Sequence, residues 1–147
     1  KYATIGPDKL NQLQHARFFK SSAGLRLQMK KHASILKPKF DAVYETLDRE
    51  LGDSGIADWT KPTGGYFLSF NTMPGCASKV VKMCADCGVK FTPAGSTYPH
   101  GIDPEDRNIR LAPSFATVEE ITKAITILSL CTKIVTIEKM LKESDPA

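Results

Sequence analysis

The sequence predicts an α/β fold of the α+β kind, a small sheet of three to four strands packed against helices. Three observations carry this: a long stretch of apolar residues at three- and four-residue steps, a central change to strand-like aromatic and alternating patterns, and a return to helical spacing at the end. The 147 residues, 41% hydrophobic and 24% charged, suffice for one domain with a buried core. No internal repeat or low-complexity segment divides them.

Ile5-Gly6-Pro7-Asp8 reads as an opening turn, with proline at a first helical position and aspartate in the first turn, so a helix is expected from Pro7 to about Phe19. From Ala23 to Leu51 the residues Leu25, Met29, His32/Ala33, Leu36, Phe40, Val43, Leu47 and Leu51 mark one amphipathic helix, about 40 Å long at its per-residue rise. Pro38 removes an amide donor inside it and predicts a kink or break near Ser34 to Lys37. Gly52 supplies the stop.

Trp59 to Pro62 leads through Gly64-Gly65 into the aromatic-rich run Tyr66 to Phe70, which has strand character and ends at Pro74-Gly75. Ala77, Val80, Val81 and Cys84 then share one face of a short helix that stops at Gly88, and a brief strand is expected at Val89 to Phe91. Beyond a loop rich in proline and glycine, Asn108 to Ala112 alternates as a strand does, with Ile109 and Leu111 on one face and Arg110 on the other. Thr117-Val118-Glu119-Glu120 has capping-box spacing and opens a final helix to about Lys142, leaving Glu143 to Ala147 as a frayed tail. A sheet so small has exposed edges and one open face, and is expected to pack against something beyond this chain.

The net charge of +4 is spread along helical segments such as Lys30, Lys31, Lys37 and Lys39, without interleaved aromatics, which reads as a solvated face and argues against nucleic acid. No run of about 18 apolar residues suits a membrane span, and a soluble cytoplasmic protein is expected. Cys84 and Cys87 form a C-x-x-C. A second ligand pair for zinc is lacking, and the pair ends a helix instead of beginning one, so buried or incidental thiols are the simpler reading than a metal or redox site. His15, His32 and His100 lie far apart and read as packing or surface residues. No nucleophile elbow, phosphate loop or metalloprotease motif occurs.

Arg110 is the most informative residue, because an arginine at mid-strand between apolar neighbours is costly unless an anion meets it. The pattern alone leaves a carboxylate-binding arginine on one side and, on the side it favours, a surface arginine on the open face of the sheet or one paired with Asp103, Glu105 or Asp106. Gly64-Gly65 reads either as a turn into a strand or as a close approach of backbone to ligand.

Lys61-Pro62-Thr63-Gly64-Gly65-Tyr66-Phe67, Thr92-Pro93-Ala94-Gly95-Ser96-Thr97-Tyr98 and Asp106-Arg107-Asn108-Ile109-Arg110-Leu111-Ala112-Pro113-Ser114, in that order, resemble the C-terminal small domain of class I/II (fold-type I) pyridoxal-phosphate aminotransferases, nearest the bacterial aspartate aminotransferase-like branch. The likeness runs from about Thr4 to Leu141. It implies that Arg110 clamps the α-carboxylate of an amino acid, that Gly64, Gly65 and Asn108 lie near the cleft, and that residues 1–20 form an N-terminal segment and linker helix ahead of the small domain at 21–147. Thr4 to Pro7 would lie near a dimer interface.

By the same resemblance the cofactor-binding lysine, the aspartate facing the pyridine nitrogen and the phosphate-binding groups belong to a large domain absent from this sequence. No catalytic residue and no bound pyridoxal phosphate is therefore expected in this chain by itself, whose partners would be that domain, an amino acid, a 2-oxo acid and a second subunit. The opening at Lys1 gives the same expectation of an excised piece. Two rival readings are a stand-alone binding module that kept the fold, and a thiol redox module built on Cys84 and Cys87.

Overall fold

Three antiparallel strands carry the site, and each owes its place to alternation between an apolar and a polar face. In the computed structural model, which describes Gly6 and residues 8–144, the elements run α1 (Lys9–Phe19), α2 (Ser22–Leu51), β1 (Ala57–Trp59), β2 (Leu68–Thr72), α3 (Ala77–Asp86), β3 (Asn108–Leu111) and α4 (Val118–Ser144). Two compact units are distinguished, Lys1–Lys37 and Pro38–Ala147.

In the first unit Asp8 is the N-cap of α1, its carboxylate accepting the Asn11 amide at 3.0 Å, rather than a first-turn residue. The expected helix start at Pro7 and the first residue of the expected turn, Ile5, lie outside the described residues. Ser21 opens α2 by accepting the Gly24 amide on its hydroxyl at 3.2 Å. Leu25 and Met29 are exposed, and His32 is exposed and bonded to Gln28 at 2.9 Å, so this end of the expected apolar stripe is not core. The break expected before Pro38 does not occur: α2 is helical throughout. The Ser34 carbonyl that proline leaves without a donor belongs to an exposed residue, where water can replace the lost bond.

In the second unit the sheet order is β1-β2-β3. Trp59 pairs with Phe70 and Phe70 with Ile109, while Leu68 pairs with Leu111. These residues form the apolar face, and Phe70 and Ile109 are fully buried with Val43, Leu47 and Leu51 of α2, Val80 and Cys84 of α3, and Ile121, Ile125 and Leu128 of α4. Burying a side chain of this size contributes about 1.5–3 kcal/mol, so the sheet's apolar face is the main adhesive between strands and helices. Buried hydroxyls on α4 are satisfied locally: Ser129 and Thr132 each donate to the carbonyl four residues back at 2.8 Å.

The capping box at α4 forms as the spacing predicts, with Glu120 accepting the Thr117 amide at 2.8 Å and Thr117 accepting the Glu120 amide at 3.2 Å. A strand at Ala57–Trp59 was not foreseen, and Val89 to Phe91 is not a strand. The Val89 amide is spent on the Cys84 carbonyl at 2.9 Å, closing α3, and the chain runs on as loop. The last helix continues to Ser144, two residues past the expected end, and the expected frayed residues 145–147 lie outside the described residues.

Candidate functional site

Alternation puts Asp58 of β1, Ser69 and Asn71 of β2, and Asn108 and Arg110 of β3 on the face opposite the core, with Asp58 opposite Asn71, Asn71 opposite Asn108, and Ser69 opposite Arg110. This polar face divides into a part saturated by internal hydrogen bonds and a part that is not.

Asn108 is the centre of the saturated part. Its amide nitrogen donates to Ser69 Oγ at 2.6 Å and Asn71 Oδ1 at 2.7 Å, and its Oδ1 accepts from Thr97 Oγ1 at 2.6 Å. Its backbone is equally engaged, the N–H with Asp103 at 2.8 Å and the carbonyl with the Gly95 amide at 3.1 Å. Asn108 is buried, and it ties β2 and the 92–103 loop to β3.

The acids that could have neutralised Arg110 are occupied. Asp103 accepts the backbone amides of Glu105, Arg107 and Asn108. Burial pushes its pKa up, but those amides and the charge of Arg107 outweigh it, and the carboxyl lies below the usual aspartate value. Glu105 pairs with Arg107 at 3.4 Å, and Arg107 also reaches Asp58 at 3.0 Å. Asp106 caps α3 from a distance: its carbonyl accepts the Cys76 and Ala77 amides, and its carboxylate accepts the Ser78 amide and hydroxyl.

Arg110 is left half-buried with no carboxylate within 4.0 Å among the described residues. Its Nε is sealed from solvent and has no hydrogen-bond partner, and its guanidinium carbon stands 4.7 Å from the centre of the Phe67 ring. Pairing with Asp103, Glu105 or Asp106, one of the readings the sequence pattern left open, is therefore not formed.

Gly65 adopts φ +92°, a left-handed turn conformation suited to glycine, while Gly64 and Gly65 both have open space where a side chain would stand. The close backbone approach lies elsewhere, at buried Gly95, where an added Cβ would meet the Gly101 carbonyl oxygen at 2.8 Å and the Asp103 nitrogen at 2.9 Å. Composition had not separated Gly95 from the other loop glycines.

Six lysines are engaged within the chain, and none of these six is placed to hold pyridoxal phosphate. Lys61, Lys79, Lys123 and Lys133 are paired with Asp48, Glu138, Glu119 and Glu50, and Lys39 and Lys139 donate to main-chain carbonyls at Ser114 and Pro74. A cofactor lysine needs a desolvated amine beside a pyridine-facing acid, and these are solvated ion pairs and tethers. The described residues form no metal-ligating cluster. Cys84 is buried inside α3 and Cys87 is its exposed C-cap, both thiols being free.

The family model described as aspartate amino-transferase matches residues 1–144. An aspartate aminotransferase of Corynebacterium glutamicum is 49% identical over 127 residues, which are 86% of this chain and 29% of that protein. The crystal structure of an aspartate transaminase from the same species superposes with a TM-score of 0.87 at 46% identity, covering 94% of this chain and 32% of that one. An α-aminoadipate aminotransferase from Thermus thermophilus, at 21% identity and a TM-score of 0.69 over 92% of this chain and 34% of its own, shares the fold. The chain thus spans about a third of the length of these relatives. By its motifs, its sheet and its match over nearly every residue, this chain belongs to the aspartate aminotransferase family.

Proposed function

We propose that this chain is the small domain of a pyridoxal-phosphate aminotransferase that moves an amino group from an amino acid to a 2-oxo acid, and that Arg110 receives the α-carboxylate common to both. The observation that carries this is an arginine on the polar face whose potential acidic partners are all engaged elsewhere. A planar fork held at the edge of a rigid strand offers two parallel N–H donors to a planar carboxylate.

The division of labour follows from what the chain lacks. The cofactor that the family implies would be held by the remaining two thirds of the protein, while residues 21–147 bind and orient substrate, with residues 1–20 as the segment leading in. Gly65 lets the chain turn toward Phe67 and β2, and Asn108 fixes the height of β3 at the cleft. Aspartate as the amino acid is supported by the names of the relatives. Assembly as a homodimer and a cytoplasmic home complete the reading, the latter supported by four free cysteines. No helix among the described residues is long and apolar enough to cross a membrane.

The test is steady-state kinetics of the full-length protein carrying Arg110→Ala and Arg110→Lys. Two charge-assisted hydrogen bonds at about 1.5–3 kcal/mol each predict a loss of roughly 10²–10⁴-fold in kcat/KM for aspartate, with KM raised for the 2-oxo acid as well. Unchanged kcat/KM in both variants would remove Arg110 from substrate binding.

A further inference from the structure

Phe67 stands just ahead of β2, half exposed, with the Arg110 guanidinium over its ring at 4.7 Å. Within this chain Phe67 does not anchor β2 in the core, which Leu68 and Phe70 do. What it does have is a cation. An aromatic face attracts a guanidinium without consuming any of its N–H donors, whereas a carboxylate in the same place would occupy the fork. The ring also restrains a side chain that otherwise carries much rotamer entropy, a cost the ligand would have to meet on binding.

The sealed Nε completes the picture. With Nε closed off from solvent and unpartnered, the guanidinium's outward edge is the pair of terminal amino groups. We propose that Phe67 is a positioning residue: its ring fixes the plane of the Arg110 guanidinium so that the two terminal nitrogens meet the substrate carboxylate end-on. This rests on the assignment of Arg110 as the carboxylate-binding residue. It predicts that Phe67 acts on recognition of the carboxylate, through Arg110, and not on the amino-transfer step.

The experiment uses the full-length holoenzyme, with succinate binding measured by calorimetry and aspartate turnover measured alongside, for wild type, Phe67→Leu, Phe67→Tyr and Arg110→Lys. Loss of the ring is expected to weaken succinate and raise the KM for aspartate roughly 2- to 30-fold, with kcat within about threefold of wild type. Phe67→Tyr keeps an aromatic face and should restore both values to within about twofold. Thermal unfolding of Phe67→Leu checks that the half-exposed site tolerates the change.

Phe67→Leu behaving as wild type, a fall in kcat at unchanged KM, or a tyrosine variant as poor as the leucine one would each overturn the positioning role. If Arg110→Lys loses succinate while Phe67→Leu does not, the inference alone fails. If Arg110→Lys binds succinate as well as wild type, the assignment of Arg110 fails and the inference goes with it.

Discussion

Asn108 donates its side-chain amide to Asn71 Oδ1 across the β2–β3 ladder at 2.7 Å, on the face of the sheet away from the core. Two residues further along β3 and on the same face, Arg110 makes no comparable bond. The contrast separates a side chain saturated by internal hydrogen bonds from one whose Nε has no partner.

Replacing Asn108 by alanine should remove three side-chain hydrogen bonds and leave Ser69, Asn71 and Thr97 short of partners around a buried position. A cost of about 2–4 kcal/mol is expected, because orphaned buried groups lose their full desolvation energy and the bonds are coupled. Urea unfolding of wild type and Asn108→Ala measures it, and a change under about 0.5 kcal/mol would contradict the central place given to this amide.

Asp103 organises the turn into β3 by accepting three backbone amides, and Asp103→Ala should cost about 1–2 kcal/mol, as loss of a backbone-capping carboxylate does elsewhere. Because its folded pKa lies below the ordinary value of 3.8, the carboxylate's contribution is fully present above that value. It is lost as the pH falls below 3.8 through the depressed folded value. Stability measured downward from pH 5 should fall less steeply in Asp103→Asn than in wild type; parallel curves would remove Asp103 as a contributor.

Thiol labelling distinguishes a redox pair from incidental cysteines. Cys76, Cys84 and Cys131 are buried, while Cys87 is exposed. Burial pushes the thiols of Cys84, Cys131 and Cys76 up, in Cys84 reinforced by the neighbouring Cys131. An aromatic disulfide reagent at pH 8 should modify one thiol quickly, abolished by Cys87→Ser, with the other three reacting only on unfolding. Rapid modification of Cys84 would revive the C-x-x-C as a reactive motif.

Much of the architecture was legible because its residues obey local rules. The 3.6-residue period of Val43, Leu47 and Leu51, the alternation Asn108-Ile109-Arg110-Leu111 and the Thr117–Glu120 capping box each name an element without reference to the rest of the fold. β1 was not legible, since Ala57–Trp59 is three residues long and is a strand only by pairing with β2. Val89 to Phe91 has strand composition, but its first amide closes α3 and no ladder forms. Pro38 does not break α2, and the Ser34 carbonyl it deprives of a donor belongs to an exposed residue open to water.

By itself the sequence determined the fold class and the family and singled out Arg110 as a candidate, because periodicity, capping and ordered motifs are properties of neighbours along the chain. It could not determine the state of Arg110. Whether that charge was matched by Asp103, Glu105 or Asp106 depended on where a loop placed three carboxylates relative to β3 and α3. Only the tertiary structure spends Asp103 on backbone amides, Glu105 on Arg107 and Asp106 on the start of α3. The physical reason is that a buried or half-buried amide without a partner is costly, so nearby carboxylates go first to the backbone groups that folding leaves bare. Arg110 keeps its fork open, with Phe67 beneath it.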